Sequence, residues 1–187
     1  AILRNLQEDM TLVQRCEDGR DRILMHHVCF PSGWRPETIL GTSFQSIHRA
    51  VPDFADSDRI AKSMVSAMIE RGPYIRFIWT LGGDPHLDHH PEDGLRMPWP
   101  EATEAWFRVE RQITIPFPQH SCALFIIRTF CYPLASLRPE QLGILFAAMK
   151  AMPENIARYK GLAEGRSKLL QWIPSVPHFP SSEVLSK

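Results

Sequence analysis

Nothing in this sequence points to a membrane, to nucleic acid or to a disulfide scaffold. No apolar run approaches the roughly 20 residues that a bilayer-spanning helix needs. Lysine plus arginine equals aspartate plus glutamate at 21 each, so there is no basic field to hold a phosphate backbone or an anionic lipid surface. Cysteine is scarce. The four thiols, at positions 16, 29, 122 and 131, include no C-x-x-C pair, which argues against a structural zinc site. Free thiols in a reducing, cytoplasmic compartment are the expectation. Internal repeats and low-complexity segments are also absent, and the 16 prolines punctuate the chain without forming a linker. The chain starts Ala1-Ile2-Leu3-Arg4 with no secretory signal. Its 187 residues, 44% apolar and 22% charged, suit one soluble domain over 1–187 with a real core.

What is present is a set of short alternating segments. Residues 10–16 and 22–30 read as strands joined at Asp18-Gly19, a dipeptide that tolerates the positive φ of a hairpin turn. Residues 37–47 hold one or two helical turns. Residues 58–71 are the clearest helix: Ile60, Met64 and Met68 repeat at i+4, as do Ala61, Val65 and Ile69. Asp56 or Ser57 can cap it, and Gly72-Pro73 stops it. A strand over 74–81, a polar loop over 82–100, and strands over 106–115 and 122–130 follow. Helices over 139–152 and 154–172 close the chain, the second weakened by Gly161 and Gly165, before an extended tail over 173–187. The order predicts an α+β fold, an antiparallel sheet with helices packed on one face, and matches the order of a PAS-like domain.

Two of these strands carry arginine where an ordinary core strand would not. Arg111 falls on the apolar face with Phe107, Val109, Ile113 and Ile115, while Arg108, Glu110, Gln112 and Thr114 fall on the other. Arg128 interrupts a strand that is apolar on both faces and therefore reads as buried. A guanidinium keeps its proton, so burying one demands an anion. Glu8, Asp9 or Glu110 could supply it, or a ligand could. On the strand at 74–81, Arg76 and Trp79 face opposite sides, so only one of them can line a pocket, and Tyr74 shares the Arg76 face. His48 follows a short helix and precedes Val51-Pro52, which suits either a helix cap or a metal ligand. His26 and His27 are adjacent on a strand and point to opposite faces. The segment Asp84-Pro85-His86-Leu87-Asp88-His89-His90 has metal-ligand spacing but no apolar flanks, so a solvated loop is expected.

Five segments then carry a resemblance: Asn5-Leu6-Gln7-Glu8-Asp9-Met10, Val28-Cys29-Phe30-Pro31-Ser32-Gly33-Trp34, Ile47-His48-Arg49-Ala50-Val51-Pro52, Arg108-Val109-Glu110-Arg111-Gln112 and Ile127-Arg128-Thr129-Phe130. In this order and spacing the chain resembles the haem-dependent oxidative N-demethylase family. The resemblance implies a PAS-like domain that binds haem b. It implies oxygenase-type oxidation of a small amine, by oxidative N-demethylation, with dioxygen as co-substrate. Electrons would come from a separate reductase partner carrying flavin and an iron–sulfur centre. It makes His48 the axial iron ligand, with His26 or His27 in reserve, and Arg128, Arg111 and Trp34 haem contacts. Arg111, Glu110, Arg76 and Trp79 become the candidate catalytic residues, Glu110 and Trp79 as acidic and π-rich contacts for an amine. Two features depart from the family pattern. The N-terminal segment that usually precedes Gln7-Glu8-Asp9 is missing, and Ile78 stands where an Arg-x-Asn-Trp pattern has asparagine, which leaves the substrate open. A non-catalytic haem PAS sensor, or a haem enzyme of secondary metabolism acting on a larger substrate, are the alternatives.

Overall fold

Alternation at the start of the chain forms the first hairpin. Strand β1 (Asp9–Arg15) pairs antiparallel with β2 (Asp21–His27), with Val13 opposite Ile23 and Met10 opposite His27 across a bulge at Leu12/Val13. The turn closes as its sequence predicts. Gly19 takes φ +76°, and Asp18 accepts the Arg20 amide at 3.0 Å. This and the following descriptions come from a computed structural model and cover residues 6–52, 54, 58–93, 104–176 and 179.

Three more strands complete the sheet: β3 (Tyr74–Gly82), β4 (Trp106–Phe117) and β5 (Cys122–Pro133), in the order β2-β1-β5-β4-β3. The fold is α+β, a five-stranded antiparallel sheet with helices. The chain divides into two compact units, the first made of 1–79, 86–95 and 109–130, the second of 80–85, 96–108 and 131–187.

In the first unit, helices α1 (Phe44–Ile47) and α2 (Asp58–Glu70) cover one face of the sheet. Ser43 caps α1 by accepting the Ser46 amide at 3.1 Å. The stripe Ala61, Val65 and Ile69 of α2 is buried against Val13, Ile23, Phe44 and Ala123, while Ile60 of the other predicted stripe is 41% exposed. Gly72, at φ +108°, ends the helix. The predicted caps Asp56 and Ser57 lie outside the described residues.

Strand alternation then assigns every sheet residue to the helix-covered face or the second face. Ala123 belongs to the core and Phe125 lines a cavity under the helices, so Leu124, Ile126 and Arg128 occupy the second face. On β4, Gln112 and Thr114 line the same cavity, so Arg111 and Ile113 occupy the second face. Gln112 and Thr114 are buried, whereas Val109, Ile113 and Ile115 are only half-buried. An amphipathic reading of β4, with the apolar face inward, is therefore reversed: the polar face is the one the helices cover.

The second unit has its own core of Leu134, Leu142, Leu145, Met149, Leu162 and Leu169. It holds α3 (Pro139–Ala151), α4 (Glu154–Tyr159) and α5 (Arg166–Trp172). One helix was expected over 154–172. It breaks because Gly161 adopts φ +70° and donates to the Arg158 carbonyl, while Leu162 donates to the Ala157 carbonyl at 2.8 Å. That pairing is a Schellman motif, which stops a helix. Ile173–Ser175 form a 3-10 turn where the tail was expected to be extended, and 180–187 lie outside the described residues.

Candidate functional site

His48 stands at the C-terminal end of α1, which directs its ring back over the helix. Its Nδ1 lies 2.8 Å from the carbonyl oxygen of Phe44. A carbonyl only accepts, so Nδ1 carries the proton and Nε2 keeps its lone pair. Among the described residues, Nε2 has no hydrogen-bond partner. The ring packs 4.1 Å from the Phe44 ring and 5.5 Å from the Phe54 ring. Burial holds the imidazole pKa below its ordinary value. The Phe44 carbonyl opposes that shift, and the Arg76 charge adds to it. The side chain is therefore a neutral imidazole at pH 7, with its second nitrogen fixed by a carbonyl, as metal-ligating histidines usually are.

Within the first unit lies an open cavity of about 160 Å³, which shares Phe44 with the His48 ring packing but is not lined by His48 itself. Phe44, Met64, Ala67 and Met68 form its helical wall. The sheet supplies Tyr74, Arg76, Gln112, Thr114 and Phe125. Arg76 is exposed at the rim, and its Nε donates to Gln112 Oε1 at 2.7 Å. Gln112, 6% exposed, donates from Nε2 to Glu110 Oε2 at 2.9 Å. The amide is thus locked in one orientation between a cation and an anion. Gln112 and Thr114 were not singled out from sequence. The available signal was their i, i+2 spacing with Glu110 on the polar face of the strand.

The other predicted residues are distributed differently. Strand alternation from the cavity-lining Gln112, Thr114 and Phe125 places Arg111 of β4 and Arg128 of β5 on the opposite side of the sheet from the cavity. Thr114 of β4 and Phe125 of β5 both line the cavity. Arg111 and Arg128 therefore share the second face, while His48 packs on the helix-covered face. Arg128 meets Glu8 at 3.2 Å and lies 5.8 Å from the Phe130 ring centroid. Among the described residues, Arg111 Nε is buried with no acceptor. Trp79 alternates onto the second face, and Trp34, half-exposed, lies in the loop after β2. Among the described residues, neither Glu110 nor Trp79 lines the cavity and no acidic side chain does; its π-rich groups are Phe44, Tyr74 and Phe125.

His26 and His27 do face opposite ways, opposite Thr11 and Met10. His26 Nδ1 is buried without a partner among the described residues, and burial, reinforced by His27, lowers its pKa. His27 Nε2 lies 3.3 Å from Cys29 Sγ. Burial, then Asp9 and Glu8, push the Cys29 thiol pKa up, so it is a structural thiol rather than a thiolate ligand. The loop expected to be solvated is anchored: Asp84 and His89 are buried, His89 exchanges backbone hydrogen bonds with Pro31 and Gly33, and Arg35 pairs with Glu92 at 2.6 Å. Among the described residues, no cluster could hold a metal ion through histidine, cysteine and carboxylates together.

For a haem, the donor chemistry at His48 fits: a neutral, oriented imidazole with a free Nε2. The volume beside it suits a smaller guest. Cofactor clefts run to about 300–1,000 Å³, while an apolar cavity near 150 Å³ takes benzene. Met64 and Met68, unbranched and flexible, form part of the cavity's helical wall. Residues 1–170 match the family model described as haem-dependent oxidative N-demethylase, alpha subunit-like.

Proposed function

The chain belongs to this family of haem-dependent oxidative N-demethylase alpha subunit-like proteins, and we propose that it is a haem-bearing oxidative enzyme whose iron ligand is His48. The observation that carries this reading is the His48 tautomer, with Nδ1–H held by the Phe44 carbonyl and Nε2 left available. The strand order is compatible with a PAS-like sheet. Haem b, when bound, supplies dioxygen binding and one-electron chemistry, with electrons from a separate flavin and iron–sulfur partner.

The chain's own residues do the rest. The Phe44 carbonyl fixes the plane and basicity of the His48 ring, and Phe44 and Phe54 shield it from water. The cavity takes a small organic substrate against Phe44, Met64 and Met68. Arg76 presents positive charge at its rim, Gln112 holds that guanidinium in place, and Glu110 balances the charge one residue further on. Arg111, Arg128 and Trp79, on the second face, do not line this cavity.

His48→Gly tests the reading. The purified protein reconstituted with haem should show a Soret band that shifts on reduction and on carbon monoxide binding. The glycine variant should lose that ligand-field signature and regain it with added imidazole. A wild-type-like spectrum in the variant would sink His48 as ligand, and no Soret band in the wild type would sink the haem reading itself.

A further inference from the structure

Helices α1 and α2 cover one face of the sheet, and the opposite face is apolar across all five strands. Met25 of β2 pairs with Leu12 of β1, which pairs with Leu124 of β5. Ile113 of β4 lies on the same side, as do Ile75 and Phe77 of β3, which alternate with the cavity-lining Tyr74 and Arg76. None of these second-face side chains is buried. Ile75 is 64% exposed and Phe77 66%. With strands about 4.8 Å apart, the face is about 19 Å wide. Contiguous apolar surface on that scale marks an interaction site.

One charge in this face has no counterpart. Arg128, on the same side, has Glu8 at 3.2 Å. Arg111 has no such carboxylate: its Nε is buried without an acceptor, and its guanidinium has no hydrogen-bond or ion-pair partner among the described residues. A guanidinium stays protonated, so it needs an acceptor from outside, and an anion matches it best. We infer that this face docks a partner polypeptide that presents a carboxylate among apolar side chains, with the carboxylate on Arg111. Charge selects that occupant. A second copy would bring another unsatisfied guanidinium to the same patch, and its Glu8 is already engaged. Small molecules occupy concave clefts that enclose most of their surface. An open strand face, apolar with an arginine in it, has instead the composition of a protein interface, where arginine is a favoured anchor. The face lies across the sheet from the cavity and from the Phe44–His48 stack, so the inference goes beyond the haem reading and does not depend on it.

Short random peptides displayed on phage and panned against the purified full chain test this. Enriched peptides should carry aspartate or glutamate flanked by apolar residues. Synthesised and titrated against the protein, each should bind at least about tenfold more weakly when its carboxylate is changed to the amide, the scale of one charge-assisted hydrogen bond. Arg111→Gln should cause the same loss, and Arg111→Lys a smaller one, because a point charge replaces the planar fork. Phe77→Ser should also weaken binding, which locates the peptides on the strand face. Arg111→Met is the control for folding. With no partner inside the chain, the arginine can be replaced with the thermal midpoint at or above that of wild type. A lower midpoint would mean that Arg111 is paired within the chain and would overturn the inference. So would enriched peptides without acidic residues, binding that survives Arg111→Gln, or no enrichment at all. Sedimentation equilibrium covers the other occupant: a wild-type dimer that Phe77→Ser dissolves would give the face to a second copy and overturn the inference likewise. The His48→Gly spectrum reads out the haem assignment separately, so a missing Soret band beside Arg111-dependent peptide binding would remove the haem reading and leave the docking face.

Discussion

Single residues in this protein take roles that their surroundings decide more than their type. Asp9 is one case. From sequence it was a candidate counter-charge for a buried arginine. In the structure its Oδ1 accepts the backbone amides of Cys29 at 2.6 Å and Phe30 at 3.2 Å, which turns the chain out of β2. It is a buried carboxylate with two backbone donors aimed at it. Asp9→Ala would leave both amides without that acceptor, at about 1–3 kcal/mol each. The urea midpoint should drop accordingly with the m-value unchanged. Asp9→Asn, which keeps one acceptor oxygen, should cost less. If alanine costs no more than asparagine, the carboxylate is not what holds this turn. The two arginines are the complementary case. Both were flagged because a guanidinium in an apolar strand needs an explanation. The answer for Arg128 is Glu8, a residue just before β1 that strand pairing brings alongside. Sequence raised the question correctly, but only the register of β1 on β5 could answer it.

At the scale of elements, most of the fold was legible. The strands, the hairpin at Asp18-Gly19, the long helix and its glycine stop all fall close to their predicted places, because each has a strong local signal in alternation, i+4 spacing or turn chemistry. Two readings needed tertiary information. The first is β4, whose apolar face looked like the core side. Helices α1 and α2 cover its polar face, because Gln112 and Thr114 line a cavity and do not face bulk water. Gln112, the centre of the candidate site, went unnoticed for that reason. The second is the helix expected over 154–172. Gly161 weakened that expectation, but the Schellman hydrogen bonds that divide the segment are visible only in the backbone. They support a direct prediction. A side chain at φ +70° is strained, so Gly161→Ala should destabilise the protein by about 1–2 kcal/mol. Gly161→Asn, which tolerates the left-handed region, should recover part of that loss. Thermal denaturation of the three proteins checks it, and an alanine variant as stable as wild type would mean that the junction re-forms as continuous helix.

At the scale of the whole molecule, charge is balanced and no helix among the described residues is long and apolar enough to cross a membrane. Acid sensitivity then depends on particular groups more than on net charge. Two imidazoles stand out. Burial lowers the pKa of His26, with His27 adding to the shift, and burial also lowers that of His48 against the pull of the Phe44 carbonyl. In the unfolded chain both return to the ordinary value near 6.5. Below that pH the unfolded state binds protons that the folded state refuses, so acid favours unfolding. Their contribution is fully present above pH 6.5 and is lost as pH falls through the depressed folded values. The haem-free protein should therefore show a urea midpoint that is flat from pH 8 to 7 and declines below about 6.5, before carboxylates begin to titrate. His26→Gln should flatten part of that decline, because the glutamine has no proton to gain. The same titration with haem bound separates the two histidines: a His48 whose Nε2 is occupied can no longer protonate there, whereas His26 is unaffected. If the decline is identical in the wild type and in His26→Gln, the buried Nδ1 of His26 carries no such linkage, and the acid sensitivity belongs to His48 or to groups outside the sheet.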